Sequence, residues 1–168
     1  MINNRSDELI RIFSLQKHPE GGYFKESYRS EGILLPNEEK EDFPNGRNYG
    51  TGIYFLLEGN SFSAFHKIKS DEIWHFYEGF PLEIISINSE GEVESQILGN
   101  ELQHGHVFQY VVKAGSWFGS RLYQNNSYAL VGCTVAPGFD FKDFEMAERE
   151  HLLKLFPQHY ELISSLTR

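Results

Sequence analysis

The stretch Phe65-His66-Lys67-Ile68-Lys69-Ser70-Asp71-Glu72-Ile73-Trp74-His75-Phe76-Tyr77-Glu78-Gly79 sets two histidines and a glutamate among large aromatic side chains. Apolar and β-branched residues on either side of Lys69-Ser70-Asp71 predict two short strands joined by a polar turn. Side chains alternate across a strand, so Glu72, Trp74 and Phe76 share one face and His75 takes the other. Only a bulge would bring His75 round, and no residue here demands one.

Outward from this pair the same texture repeats. Strands are predicted over residues 23–30, 49–57, 61–68, 72–77, 82–88, 93–98, 107–112, 116–121 and 128–136, with Gly, Asn, Pro and Ser marking the turns between them. Short strands at this spacing predict an all-β sandwich or barrel. Ser6-Asp7-Glu8 ahead of Leu9, Ile10, Ile12 and Phe13 predicts a capped amphipathic helix from residue 6 to about 16. His18-Pro19-Glu20-Gly21-Gly22 then breaks it. The charged segment 36–46 reads as an exposed loop, since a domain boundary there would leave the first part too small to bury a core. Residues 144–156 have helical periodicity up to Pro157, and a shorter helix is expected over 159–166. The expected organisation is one domain over 1–168: an N-terminal helix to residue 17, a barrel over 18–139 and C-terminal helices over 140–168.

Composition narrows the partners. The formal charge is −9, which repels phosphate backbones and anionic lipid heads, so neither nucleic acid nor membrane is expected. A local basic pocket for an anionic ligand stays open. Fourteen Phe and nine Tyr suit pleated surfaces and pockets. The single cysteine, Cys133, excludes an internal disulfide and points to the cytoplasm. Residues 1–8 are polar, without the apolar core of a secretion signal, and no apolar run approaches the roughly 20 residues of a membrane helix.

The frame His66-x-Ile68-x-x-x-Glu72, closing seven residues later on Gly79, resembles the first signature motif of the cupins. Four further segments support the resemblance: His18-Pro19-Glu20-Gly21-Gly22-Tyr23-Phe24, Thr51-Gly52-Ile53-Tyr54-Phe55-Leu56-Leu57, Lys113-Ala114-Gly115-Ser116-Trp117-Phe118 and Gly132-Cys133-Thr134-Val135-Ala136-Pro137-Gly138-Phe139. Together they extend it from about Leu9 to Glu150. The chain resembles an uncharacterised cupin subgroup (a domain of unknown function), distantly similar to sugar-nucleotide 3,5-epimerases. The resemblance implies a jelly-roll barrel, or double-stranded β-helix, flanked by helices and often dimeric. Exposed strand edges and the aromatic first strand add to the expectation of a homodimer.

Cupin metal sites use two histidines and a glutamate from the first motif and a histidine from the second. By the resemblance His66 and Glu72 occupy two of these places, Ile68 and Phe118 the others. Neither Ile nor Phe offers a lone pair, so no cofactor is expected. The lesser alternative is a divalent metal held by His66, Glu72 and a turned-in His75. The pair His104-Gly105-His106 reads as a solvated turn.

The motif places His66 and Glu72 face to face across adjacent strands inside the barrel. A carboxylate beside an imidazole raises its pKa and fixes its tautomer, as a general base requires. The competing reading is a buried polar pair without chemistry. Tyr23, Tyr54, Trp74, Phe76, Trp117 and Phe118 are expected to line or close a pocket suited to a sugar or a base, each otherwise being core. His75, Glu26 and Gln109 complete the expected ligand-binding set. Arg47 is a candidate anion clamp, though surface charge is the plainer reading for it and for Arg29. Cys133 reads as a buried, inert thiol.

The expected function is binding of a small molecule, with metal-independent isomerase or epimerase chemistry on a sugar-like or carbonyl ligand. His66 would take a proton, Glu72 would orient it, and Tyr54 or Tyr23 would return a proton on the opposite face. The alternatives are a metabolite-binding barrel without chemistry and a metal-dependent cupin.

Overall fold

The computed structural model describes residues 3–36 and 43–168. In chain order it holds α1 (Asn3–Phe13), β1 (Gln16–Lys17), β2 (Tyr23–Arg29), β3 (Ile33–Leu34), β4 (Arg47–Asn48), β5 (Thr51–Gly59), β6 (Phe62–Lys67) and β7 (Asp71–Gly79). There follow β8 (Leu82–Ile87), β9 (Val93–Leu98), β10 (Gln109–Val112), β11 (Trp117–Leu122), β12 (Ser127–Ala136), β13 (Glu145–Met146), α2 (Arg149–Leu155) and α3 (Tyr160–Ser165). Two antiparallel sheets face each other as a jelly roll. One runs β1-β2-β5-β12-β7-β10 and the other β13-β6-β11-β8-β9, with β3-β4 as a separate pair.

Both faces of the central strands are buried, and by different partners. Phe55, Leu57, Trp74, Ile84, Phe118 and Val131 fill the space between the sheets. Leu56 and Leu130, on the reverse of the six-stranded sheet, lie beneath Leu9 and Leu15. Phe65, Ile85, Ile87 and Trp117, behind the five-stranded sheet, pack against Leu152, Phe156 and Ile163 of the C-terminal segments. Burying each such side chain contributes about 1.5–3 kcal/mol before the entropy of ordering is counted. Three apolar layers therefore come from one alternating pattern.

The structure departs from the sequence expectation at the ends. Helix α1 begins at Asn3, so Ser6 is a buried helical residue rather than a cap. It stops at Phe13 because Ser14 turns left-handed, at φ 52°. Residues 145–146 are not helical: Glu145 and Met146 pair with Lys67 and His66 of β6. That pairing satisfies backbone groups on an edge that would otherwise stay open. The segment 140–168 is thus only partly helical, and residues 139–144 fold back across one end of the sheets. Of the loop expected over 36–46, residues 37–42 lie outside the described residues. Among the described residues no helix is long and apolar enough to cross a membrane.

Candidate functional site

Between the sheets, at the end covered by residues 139–144, lies a cavity of about 290 Å³. His18 and Glu20 enter it from the turn before β2, His66 from β6, Glu72 from β7 and Cys133 from β12; Phe24, Phe139, Phe141 and Phe144 supply flat apolar wall.

The pairing of His66 with Glu72 differs from expectation. Strand β6 pairs with β11 and β13, and β7 pairs with β12 and β10, so the two residues belong to separate sheets. The polar turn between them is a corner that carries the chain from one sheet to the other. Both side chains line the cavity, one from each sheet.

His66 is 2% exposed. Its Nδ1–H donates to Ala64 O at 2.8 Å, which leaves Nε2 at 3.2 Å from Glu20 Oε2. The same oxygen lies 3.3 Å from His18 Nδ1, which accepts the backbone N–H of Glu20. Glu20 Oε1 accepts the Ser63 hydroxyl at 2.9 Å. An oxygen facing two ring nitrogens that are both lone-pair acceptors needs one proton among the three atoms. Burial pushes both imidazoles below the ordinary histidine range and raises Glu20. The neutral arrangement, with the proton on Glu20, is therefore favoured.

Glu20 reaches this position because of the turn behind it. Gly21 and Gly22 have φ of 118° and 69°, and a Cβ on Gly21 would sit 2.2 Å from Phe62 O. The bare glycine backbone lets the turn press onto β6, where Glu20 O accepts the Ala64 N–H at 2.8 Å.

Glu72, on the facing wall, has fewer partners. Burial raises its pKa to about 7, nearby Glu20 adds to the rise, and His66 and the Cys133 thiol partly offset it. Cys133 is pushed well above the ordinary thiol range by burial and by Glu72, and it is inert as a nucleophile.

The aromatic cover is pinned at several points. Phe139 N–H donates to Thr51 Oγ1 at 2.9 Å, and Arg29 Nη1 donates to Phe139 O at 3.1 Å. Arg47 forms a buried ion pair with Asp143 at 2.6 Å, so it anchors the cover and is not an anion clamp in the cavity. His18 stacks on Phe141 at 5.9 Å and meets Phe24 edge-on at 4.6 Å. The His66 ring lies 4.1 Å from Phe118 and 5.2 Å from Phe144.

Of the other residues expected at the site, Glu26 lines the cavity, paired with Arg29 at 2.7 Å. Tyr23 and Tyr54 lie on the reverse of the six-stranded sheet, Tyr54 against Phe13 of α1 at 4.5 Å. Trp74 and Phe76 point inward but belong to the core away from the cavity, Trp74 edge-on to Phe55 at 5.7 Å. Trp117 faces the C-terminal helices, with the Lys67 ammonium 4.4 Å from its ring. His75 is on the outer face, 3.0 Å from Thr134 Oγ1, and its Nδ1 accepts from Gln109 Nε2 at 3.0 Å. The irregularity in the β7–β12 ladder falls between Phe76 and Glu78, too late to rotate His75 inward. His75 and Gln109 thus leave the ligand set, and His75 leaves the metal set. His106 is buried and accepts the Glu101 N–H, whereas His104 is exposed. The residues missed from sequence are His18, Glu20 and the cover phenylalanines. The signal for the first two was His18-Pro19-Glu20 set directly before two glycines, read there as a helix break and as part of the family resemblance.

Two antiparallel sheets enclosing a side-chain-lined cavity in this strand order define a cupin jelly roll, a fold that binds small molecules. Residues 7–147 match the family model Cupin superfamily (DUF985), and the chain belongs to that family. It is 34% identical over 160 residues to the uncharacterized protein YML079W of Saccharomyces cerevisiae, covering 88% of this chain and 77% of that one. Among solved structures, protein SO0799 from Shewanella oneidensis is 39% identical with a TM-score of 0.88, covering 97% of both chains. A hypothetical protein from Leishmania major is 34% identical with a TM-score of 0.87, covering 96% of this chain and 98% of that one.

The metal centre that cupins are known for does not fit these residues. Ile68 lines the cavity and Phe118 packs on His66, where two donors would be required. Both nitrogens of His66 already have partners. Among the described residues no group of three or more His, Cys, Asp and Glu is arranged to hold a metal ion.

Proposed function

We propose that the protein binds a small carbonyl compound between its sheets and moves a proton on it, as an isomerase or epimerase that needs no metal. One observation carries this reading: four buried titratable side chains, His18, Glu20, His66 and Glu72, converge on one apolar cavity from opposing walls. A ligand between the walls has Glu72 on one face and the proton held by Glu20 and the imidazoles on the other. Removing a proton next to a carbonyl and returning one to the opposite face requires this arrangement. A carboxyl with a pKa about 7 accepts and releases a proton near neutral pH with little driving force lost. The roles differ from those expected: Glu20 orients His66, Glu72 is the base, and Tyr23 and Tyr54 stand outside. The working unit in this reading is one domain, in a cytoplasmic homodimer.

Binding without turnover is the second reading, favoured because Glu20 already has Ser63 and both imidazoles as partners. Incubation with small cyclic ketones and hydroxyketones in deuterated buffer separates the two. Catalysed deuterium uptake at carbon, lost in Glu72→Gln with the fold intact, supports chemistry. Saturable binding with no uptake supports the module.

A further inference from the structure

The cavity restricts what can enter by charge. At about 290 Å³ it has room for one ring and its substituents. Its apolar wall is flat phenylalanine, with Ile53, Ile68 and Val135 between.

Among the described residues that line the cavity, each charged side chain has a partner. The cation bordering the cavity is Arg29, and four of its N–H groups are taken: two by Glu26, one by Asn48 Oδ1 and one by Phe139 O. An entering phosphate or carboxylate would lose its hydration and meet carboxyl groups. An entering ammonium would fare little better. Glu20 is held by Ser63 and two imidazoles, Glu26 by Arg29, Asp140 by the Lys142 N–H, and Glu72 by the Cys133 thiol. The site offers hydrogen-bond donors and acceptors that already have partners, framed by rings.

Building on the acid–base reading above, we infer that the ligand is an uncharged single-ring carbonyl compound, and that the cavity rejects phosphates, carboxylates and ammonium ions. A sugar nucleotide is outside this class on charge.

The test uses the full chain and four probes: cyclohexanone, cyclohexanecarboxylate, cyclohexylammonium and uridine diphosphate. Binding is read from the ring C–H signals of His18 and His66 in an NMR titration. Deuterium uptake at the carbon beside the ketone is read in parallel. Cyclohexanone is expected to shift both histidines with a millimolar Kd, the other three binding at least tenfold more weakly. Ile68→Phe, or Val135→Phe if the first does not fold, narrows the cavity and is expected to weaken the ketone tenfold or more. If the carboxylate, the ammonium or the diphosphate binds as well as the ketone, the inferred class is overturned while the acid–base reading stands. If none binds, the class is also overturned. If the ketone binds and takes up no deuterium, the class stands and the proton-transfer reading falls.

Discussion

The two walls of the cavity are equally buried and bonded in opposite ways. On the five-stranded side, Glu20 accepts the Ser63 hydroxyl and faces His18 and His66, with one proton shared among the carboxyl and the two rings. On the six-stranded side, Glu72 has a weak thiol donor and a pKa about 7. Burial raises both carboxyls; what differs is the company each keeps, since Glu20 shares its proton with imidazoles and Glu72 has only a thiol beside it.

The largest effect expected from this contrast is on turnover. Glu72→Gln keeps the shape and removes the titration, and should slow deuterium uptake by about 10²–10⁴-fold, the usual worth of a positioned acid or base. Tyr54→Phe, outside the cavity, should leave the rate within a factor of two. An equal loss in both would erase the distinction between the walls.

The second effect is on stability. Glu20→Ala leaves Ser63 and the His66 Nε2 buried without a partner, at about 1–3 kcal/mol each. Urea unfolding should show a loss of about 3 kcal/mol, whereas Glu72→Gln at pH 8 should show little loss or a gain, since it removes a buried charge. A smaller loss for Glu20→Ala than for Glu72→Gln would reverse the assignment of the walls.

The third is a pH dependence. Folded Glu72 keeps its proton up to about pH 7, while the unfolded chain releases it near 4.5. The folded state binds the extra proton in that window, so stability falls as pH rises from 4.5 toward 7 and levels off above. The histidines, lowered on folding, act in the opposite sense as pH falls below 6.5. The difference between wild type and Glu72→Gln isolates the glutamate. It should fall by about 3 kcal/mol across the window, measured by urea midpoints at half-unit pH steps. A flat difference would mean that folding leaves the Glu72 carboxyl in the ordinary carboxylate range.

The smallest effect belongs to the outer face. His75→Ala removes hydrogen bonds to Thr134 and Gln109 at a part-exposed site, and should change stability by no more than about 0.5 kcal/mol and ligand binding not at all. A clear loss of binding would return His75 to the site.

Most strands were legible because alternation is a local property. The turn residues bounded β2 and β5–β12 to within about two residues, and the same alternation put Glu72 inside and His75 outside. The corner after Ile68 was not legible. A polar turn between two strands looks alike whether the second strand returns beside the first or crosses to the facing sheet. The choice rests on Phe118 and Val135, which pair with His66 and Glu72 from far along the chain. Glu20 was hidden for the same reason, since its partners Ser63 and His66 lie more than forty residues on.

By itself the sequence determined which residues form strands, which face each side chain takes within its strand, and that two metal ligands of the motif are absent. The first two follow from backbone geometry over a few residues, and the third from the family resemblance with the side-chain chemistry of Ile and Phe. Only the tertiary structure decided that His66 and Glu72 oppose each other from different sheets, that Glu20 and His18 join them, and that Tyr54 and Trp117 face away from them. Those placements depend on which distant strands pair and which helix covers which face, and local geometry carries no record of either.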